Sequence, residues 1–129
     1  MSKSKTILLA DDHESLLELF QFYLVQSLGD ADYKIITAKD GKTVMKLLAE
    51  HVPDVLILDI MMPQMDGLAV CRELKKDKKY KDMKIAIVSA LDTPEVKAAA
   101  KDFGIDEFFV KSSDPMKMVE YVRQIVEKG

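Results

Sequence analysis

Residues 55–67 read VLILDIMMPQMDG: four apolar residues, then Asp59, then a segment running through Pro63 to Asp66 and Gly67. Val55 to Leu58 is too short for a helix and includes the β-branched Val55 and Ile57, so it reads as a strand. Being apolar throughout, it fits a strand covered on both faces of a parallel sheet. The figure recurs on both sides. Ile7-Leu8-Leu9-Ala10 precedes Asp11 and Asp12, Ile85-Ala86-Ile87-Val88 precedes Ser89, and Phe108-Phe109-Val110 precedes Lys111. A fifth run, Tyr33 to Ala38, mixes in Lys34 and Thr37, which suits an edge strand.

The runs end at residues 10, 38, 58, 88 and 110, and each interval leaves room for one helix and two turns. Between them the period becomes helical. Met118, Val119, Val122, Ile125 and Val126 fall on one stripe, and Asp114-Pro115 before them reads as an N-cap and first-turn proline. Thr93-Pro94 opens the fourth helix in the same way, and Gly104 offers it a left-handed stop. That helix presents Val96, Ala98, Ala99 and Ala100 to the core, small side chains that predict a lightly held element. Five alternations of strand and helix predict a doubly wound (βα)5 α/β sandwich of three layers with right-handed crossovers, one domain over residues 1–129.

Composition narrows the function. The 129 residues carry a net charge of −3 and a pI near 5.4, which argues against direct nucleic-acid binding. A single cysteine, Cys71, fits a reducing compartment and most simply packs inside the third helix. The start of the chain leads into only four apolar residues, too few for a signal peptide or a membrane span, so a cytoplasmic location is expected. The eight methionines read as core filling, and Lys75, Lys76, Lys78, Lys79, Lys81 and Lys84 as a solvated loop, with an acidic partner as the alternative.

Parallel strands point the same way, so Asp11, Asp12, Asp59, Ser89 and Lys111 collect outside their carboxyl ends, where doubly wound sheets place their sites. Two like charges about 4 Å apart repel by about 4 kcal/mol at an effective dielectric of 20. Lys111 compensates one of the three carboxylates, and a divalent cation would compensate the other two. Hard oxygen donors favour Mg²⁺, an ion that commonly joins a carboxylate to a phosphoryl group. His13, beside the acidic pair, reads as exposed and not as a ligand.

Asp11-Asp12, the segment from Asp59 through Pro63 to Gly67, Ser89-Ala90 and Lys111 together resemble the CheY-like receiver domain of two-component response regulators. The resemblance implies a flavodoxin-like sandwich with strand order 2-1-3-4-5. It implies Asp59 as the acceptor of a phosphoryl group from a histidine kinase or a His-containing phosphotransfer protein. Mg²⁺ would then be bound by Asp11, Asp12, Asp59 and the Met61 backbone carbonyl. Lys111 pairs with Asp59 and later with the phosphoryl oxygens, while Ser89 and Phe108 form a switch. The readout face is helix 4, strand 5 and helix 5, acting on an effector protein or on an output domain outside this chain. Such a protein is a signalling acceptor and not an enzyme in the ordinary sense, monomeric or dimerising on phosphorylation.

One departure stands out: Ser112 follows Lys111, where the family usually has a proline in a cis bond. Cis geometry without proline costs about 3–4 kcal/mol, so the placement of Lys111 is the open point. Met61 and Leu91, two residues beyond Asp59 and Ser89 at positions that tune dephosphorylation in the family, are apolar and cannot position an attacking water, which implies a moderately long-lived phosphoform. The competing readings are a phosphorylation-independent interaction scaffold and a Mg²⁺-dependent phosphohydrolase with an aspartate nucleophile. The second lacks the Asp-x-Asp motif after the first strand, where Asp11-Asp12-His13 stands instead.

Overall fold

The five apolar runs become β1 (Lys5–Ala10), β2 (Tyr33–Ala38), β3 (Val55–Leu58), β4 (Lys84–Ser89) and β5 (Glu107–Val110). They alternate with α1 (Glu14–Leu28), α2 (Gly41–Glu50), α3 (Gly67–Lys75), α4 (Pro94–Asp102) and α5 (Met116–Lys128). The structure, a computed structural model, describes residues 4–112 and 114–128; most of the charged start of the chain lies outside them. The strands pair in parallel in the order β2-β1-β3-β4-β5, so the polar second strand is at an edge as expected.

Alternation along each strand builds two cores. Leu8, Leu56, Leu58, Ile85 and Ile87 face α2, α3 and α4, where Val44, Leu48, Val70 and Cys71 meet them. Ile7, Leu9, Val55, Ile57 and Val88 face α1 and α5, packing on Leu17, Leu24, Val119 and Val122. Cys71 is fully buried, and burial pushes its thiol up to about 12, so it is an inert core residue.

Local signals act where the sequence places them. Thr93 caps α4 by accepting from the Val96 amide, and the Asp114 carboxylate accepts from the Met116 amide at the start of α5. Gly104 ends α4 at φ 82°. Two expectations need correction. Of the small residues of α4 only Ala100 is buried; Val96 and Ala99 are half-buried and Ala98 faces solvent. Not all methionines fill the core, since Met61 and Met116 are 58% and 44% exposed.

Aspartates also tie neighbouring strands at their amino-terminal ends. Asp54 accepts from the Thr6 amide of β1 at 2.8 Å, and Asp106 from the Ile85 amide of β4 at 2.8 Å. These fix the register that carries the site. Ala10 lies opposite Leu58, and the ladder continues one residue further as the Asp59 amide donates to the Ala10 carbonyl at 2.9 Å. Asp11 and Asp59 therefore leave adjacent strands at the same height.

Gly67 locks the returning chain against this edge. Its amide donates to the Ile60 carbonyl at 2.8 Å, and a Cβ there would lie 2.3 Å from the Asp59 carbonyl oxygen. The three atoms it would meet, the Asp59 carbonyl oxygen and carbon and the Ile60 Cα, are all backbone and cannot step aside. Gly67→Ala is expected to destabilise the fold by about 2–3 kcal/mol, read as a lower urea midpoint at unchanged slope.

Candidate functional site

Three buried polar residues stand at the carboxyl ends of the strands: Asp11 (3% exposed), Asp59 (2%) and Ser89 (0%). The β5 ladder ends on the Lys111 amide, which donates to the Ser89 carbonyl at 2.9 Å and turns the lysine across the sheet edge. Its Nζ lies 2.8 Å from Asp11 Oδ2 and 2.9 Å from Asp59 Oδ2, one ammonium between two carboxylates. Among the described residues no peptide bond is cis, so the Lys111–Ser112 bond is trans. Lys111 reaches both partners without the family's proline.

The other Asp59 oxygen, Oδ1, accepts from the Met61 amide at 3.3 Å, which brings the Met61 backbone to the phosphoacceptor candidate. Asp59 does not cap α3: Asp66 does, accepting from the Ala69 amide at 2.8 Å. Asp11 and Asp12 do not cap α1, whose N-cap is His13 with no side-chain cap. None of the three acids is the N-cap of the helix that follows it. Asp12 stands at the solvent rim, where it lines a shallow cleft with Met61, Met62, Pro63 and Asp66.

Burial is the largest influence on the Asp59 carboxyl and raises it above the usual carboxylate range, with Asp11 adding to the rise and Lys111 opposing it. For Lys111, burial pulls the ammonium down, but its bonds to Asp11 and Asp59 outweigh burial and hold it above the ordinary lysine value. The site is thus a strained charge balance: two acids with one cation, and a third acid alongside.

Ser89 is the last residue of β4, and Phe108 lies within β5. Ser89 Oγ accepts from the Leu91 amide at 3.1 Å. Phe108 is half-buried against the core beneath α4, with Lys97 Nζ 5.9 Å from its ring centre. Leu91 is solvent-exposed, like Met61.

His13 is exposed as expected, but its surroundings were not read from the sequence. Its Nδ1 lies 3.0 Å from Asp11 Oδ1 and 3.2 Å from Asp12 Oδ1, and its amide donates to Asp11 Oδ1 at 2.9 Å. Adjacency to the Asp11-Asp12 pair was the available signal. Asp11, Asp12, His13 and Asp59 each offer one atom to a set lying within 4.8 Å of one another. Three of the four donors are hard carboxylate oxygens, so the residues fit Mg²⁺ better than a softer ion.

The family model of the response regulator receiver domain matches residues 7–123. The chain is 32% identical over 126 residues to the alkaline phosphatase synthesis transcriptional regulatory protein PhoP of Bacillus subtilis, covering 98% of this chain and 50% of that protein. It is 33% identical over 122 residues to the response regulator PleD of Caulobacter vibrioides, covering 95% of this chain and 26% of that one. It thus spans half or less of the length of these curated relatives. Among solved structures, chemotaxis protein CheY4 of Vibrio cholerae superposes with a TM-score of 0.81 at 25% identity, covering 95% of this chain and 99% of that one.

The charge balance predicts opposite effects for its two halves. Asp59→Asn removes a carboxylate whose raised pKa penalises folding above it, so the variant gains about 1 kcal/mol at neutral pH, a few degrees in Tm. That gain fades as pH falls through the raised value, because the wild-type group is then protonated. Lys111→Ala leaves two buried carboxylates without their cation and loses about 3–5 kcal/mol at neutral pH, part of it regained in acid. Thermal melts between pH 4 and 8 check both.

Proposed function

This chain belongs to the response regulator receiver domain family of two-component systems, and from that premise we propose that Asp59 accepts a phosphoryl group from a phosphohistidine donor. The observation that carries the reading is the Lys111 ammonium bonded to both Asp11 and Asp59 at the carboxyl edge of the sheet. The donor is a histidine kinase or a His-containing phosphotransfer protein. A carboxylate oxygen of Asp59 forms the new O–P bond as the N–P bond of the donor imidazole breaks. Lys111, already 2.9 Å from Asp59, follows the transferred group and pairs with its equatorial oxygens. Asp11, Asp12, Asp59 and the Met61 carbonyl would hold Mg²⁺, which would supply the remaining positive charge. The chain serves as acceptor for its partner's phosphoryl group and catalyses only its own phosphorylation and dephosphorylation.

Phosphorylation replaces one negative charge on Asp59 by roughly −1.5 to −2 and adds three strong acceptor oxygens. Ser89, whose oxygen already accepts from the Leu91 amide, still has its hydroxyl proton to give and turns toward the phosphoryl group. Movement of the Ser89–Leu91 backbone opens space for the Phe108 ring. α4, held by a single fully buried alanine, then shifts its face with β5 and α5 toward an effector or an output domain. Met61 and Leu91 are exposed apolar side chains that cannot orient a hydrolytic water, which supports a moderately long-lived phosphoform.

Intact-mass analysis with acetyl phosphate tests the reading. One phosphoryl addition is expected with Mg²⁺, none without it, and none in Asp59→Asn; labelling that survives in the variant or ignores the metal overturns it. Calorimetry should show Mg²⁺ uptake by the wild type and its loss in Asp12→Ala. Ser89→Ala should still take up the phosphoryl group but lose the amide shifts of α4 in NMR spectra.

A further inference from the structure

The lysine-rich connection between α3 and β4 is more than a solvated loop. Its 3₁₀ turn, Lys78–Tyr80, folds back so that a cleft of about 280 Å³ opens between it, the start of β4 and the end of α4. The floor is apolar: Leu74, Tyr80, Met83 and Ile85 line it and are buried, with half-buried Phe103 at the α4 side. The rim is cationic, with Lys75, Lys78, Lys81 and Lys84 around the opening.

The acids in this cleft are already engaged. Asp77 accepts from the Lys79 amide at 3.0 Å and Asp106 from the Ile85 amide at 2.8 Å. Neighbouring cations are also occupied: Lys75 donates to the Asp102 carbonyl, Lys76 pairs with Glu73, and Lys79 lies 5.2 Å from the Tyr80 ring centre. Lys78, Lys81 and Lys84 form no ion pair among the described residues. A positive rim on a chain of net charge −3 is a local inversion of sign that steers an anionic partner.

We propose that this cleft docks an acidic peptide segment of a partner protein, with one apolar side chain seated on the floor and flanking carboxylates on Lys78, Lys81 and Lys84. A nucleic acid fits less well. The rim lacks arginine, which favours bidentate phosphate recognition, and Tyr80 is only 8% exposed, leaving no face for a base to stack on. The cleft sits where β4 begins, at Lys84, whereas Asp59 and Ser89 lie at the other ends of their strands. The cleft is therefore remote from Asp59, and docking there does not rest on the phosphoacceptor reading.

Fluorescence anisotropy with a labelled Glu-Glu-Leu-Glu-Glu peptide at low ionic strength tests the proposal. The wild type should bind, Lys78→Glu/Lys81→Glu should weaken binding by about tenfold or more, and a peptide with serine in place of leucine should bind several-fold more weakly. Asp59→Asn should bind as the wild type does. Both lysines are exposed, and circular dichroism verifies that the double variant is folded. Equal loss in the charge-matched α2 variant Lys42→Glu/Lys46→Glu overturns the site in favour of bulk electrostatics. Failure of the wild type to bind the peptide, or preference for an oligothymidylate over it, overturns the acidic-peptide assignment.

Discussion

One ammonium holds together an edge that would otherwise repel itself. Lys111 reaches Asp11 and Asp59 at once, and those carboxylates are buried where water cannot screen them. Everything that positions the lysine and the acids therefore bears on the site: the parallel register, the amide-to-carbonyl bonds that continue each ladder past its strand, and the backbone contact of Gly67. Charge balance also explains why the site invites change. Its carboxylate excess is tolerated because the scaffold over-determines the geometry, which leaves part of the negative charge for a further cation to settle.

Most of this architecture was legible because strand signals and polar punctuation coincide. Four continuously apolar runs ended on Asp11, Asp59, Ser89 and Lys111, and the parallel direction of the strands did the rest. Capping residues were readable for the same reason, since Thr93 and Asp114 act on amides two or three residues away. Contacts between distant segments were not. Asp54 and Asp106 look like ordinary loop acids until the neighbouring strand brings its amide to them. The contact of His13 with two carboxylates depends on how the chain turns into α1, which periodicity does not specify. The burial of α4 was overestimated because alanine spacing shows which residues share a face, not how closely that face approaches the sheet.

The two edges of the sheet divide the work by charge. Buried carboxylates and a lysine gather at the carboxyl ends, while lysines with no ion pair among the described residues rim an apolar cleft at the other. The two regions share β4, whose first residue is Lys84 and whose last is Ser89. A partner can occupy one edge without covering the other.

The backbone contact at Gly67 sets a limit on how this chain can vary in length. The segment after Asp59 is pinned at its far end by the Gly67–Ile60 bond, and on the way Met65 donates to the Pro63 carbonyl around Gln64 at φ 72°. Inserting or deleting one residue there would pull α3 off the acceptor strand, so this stretch is closed to indels. The connection from Lys76 to Met83 is held by its own turn bonds and by buried Tyr80 and Met83, so a change of length there would alter the lysine-rimmed cleft and not the acidic edge.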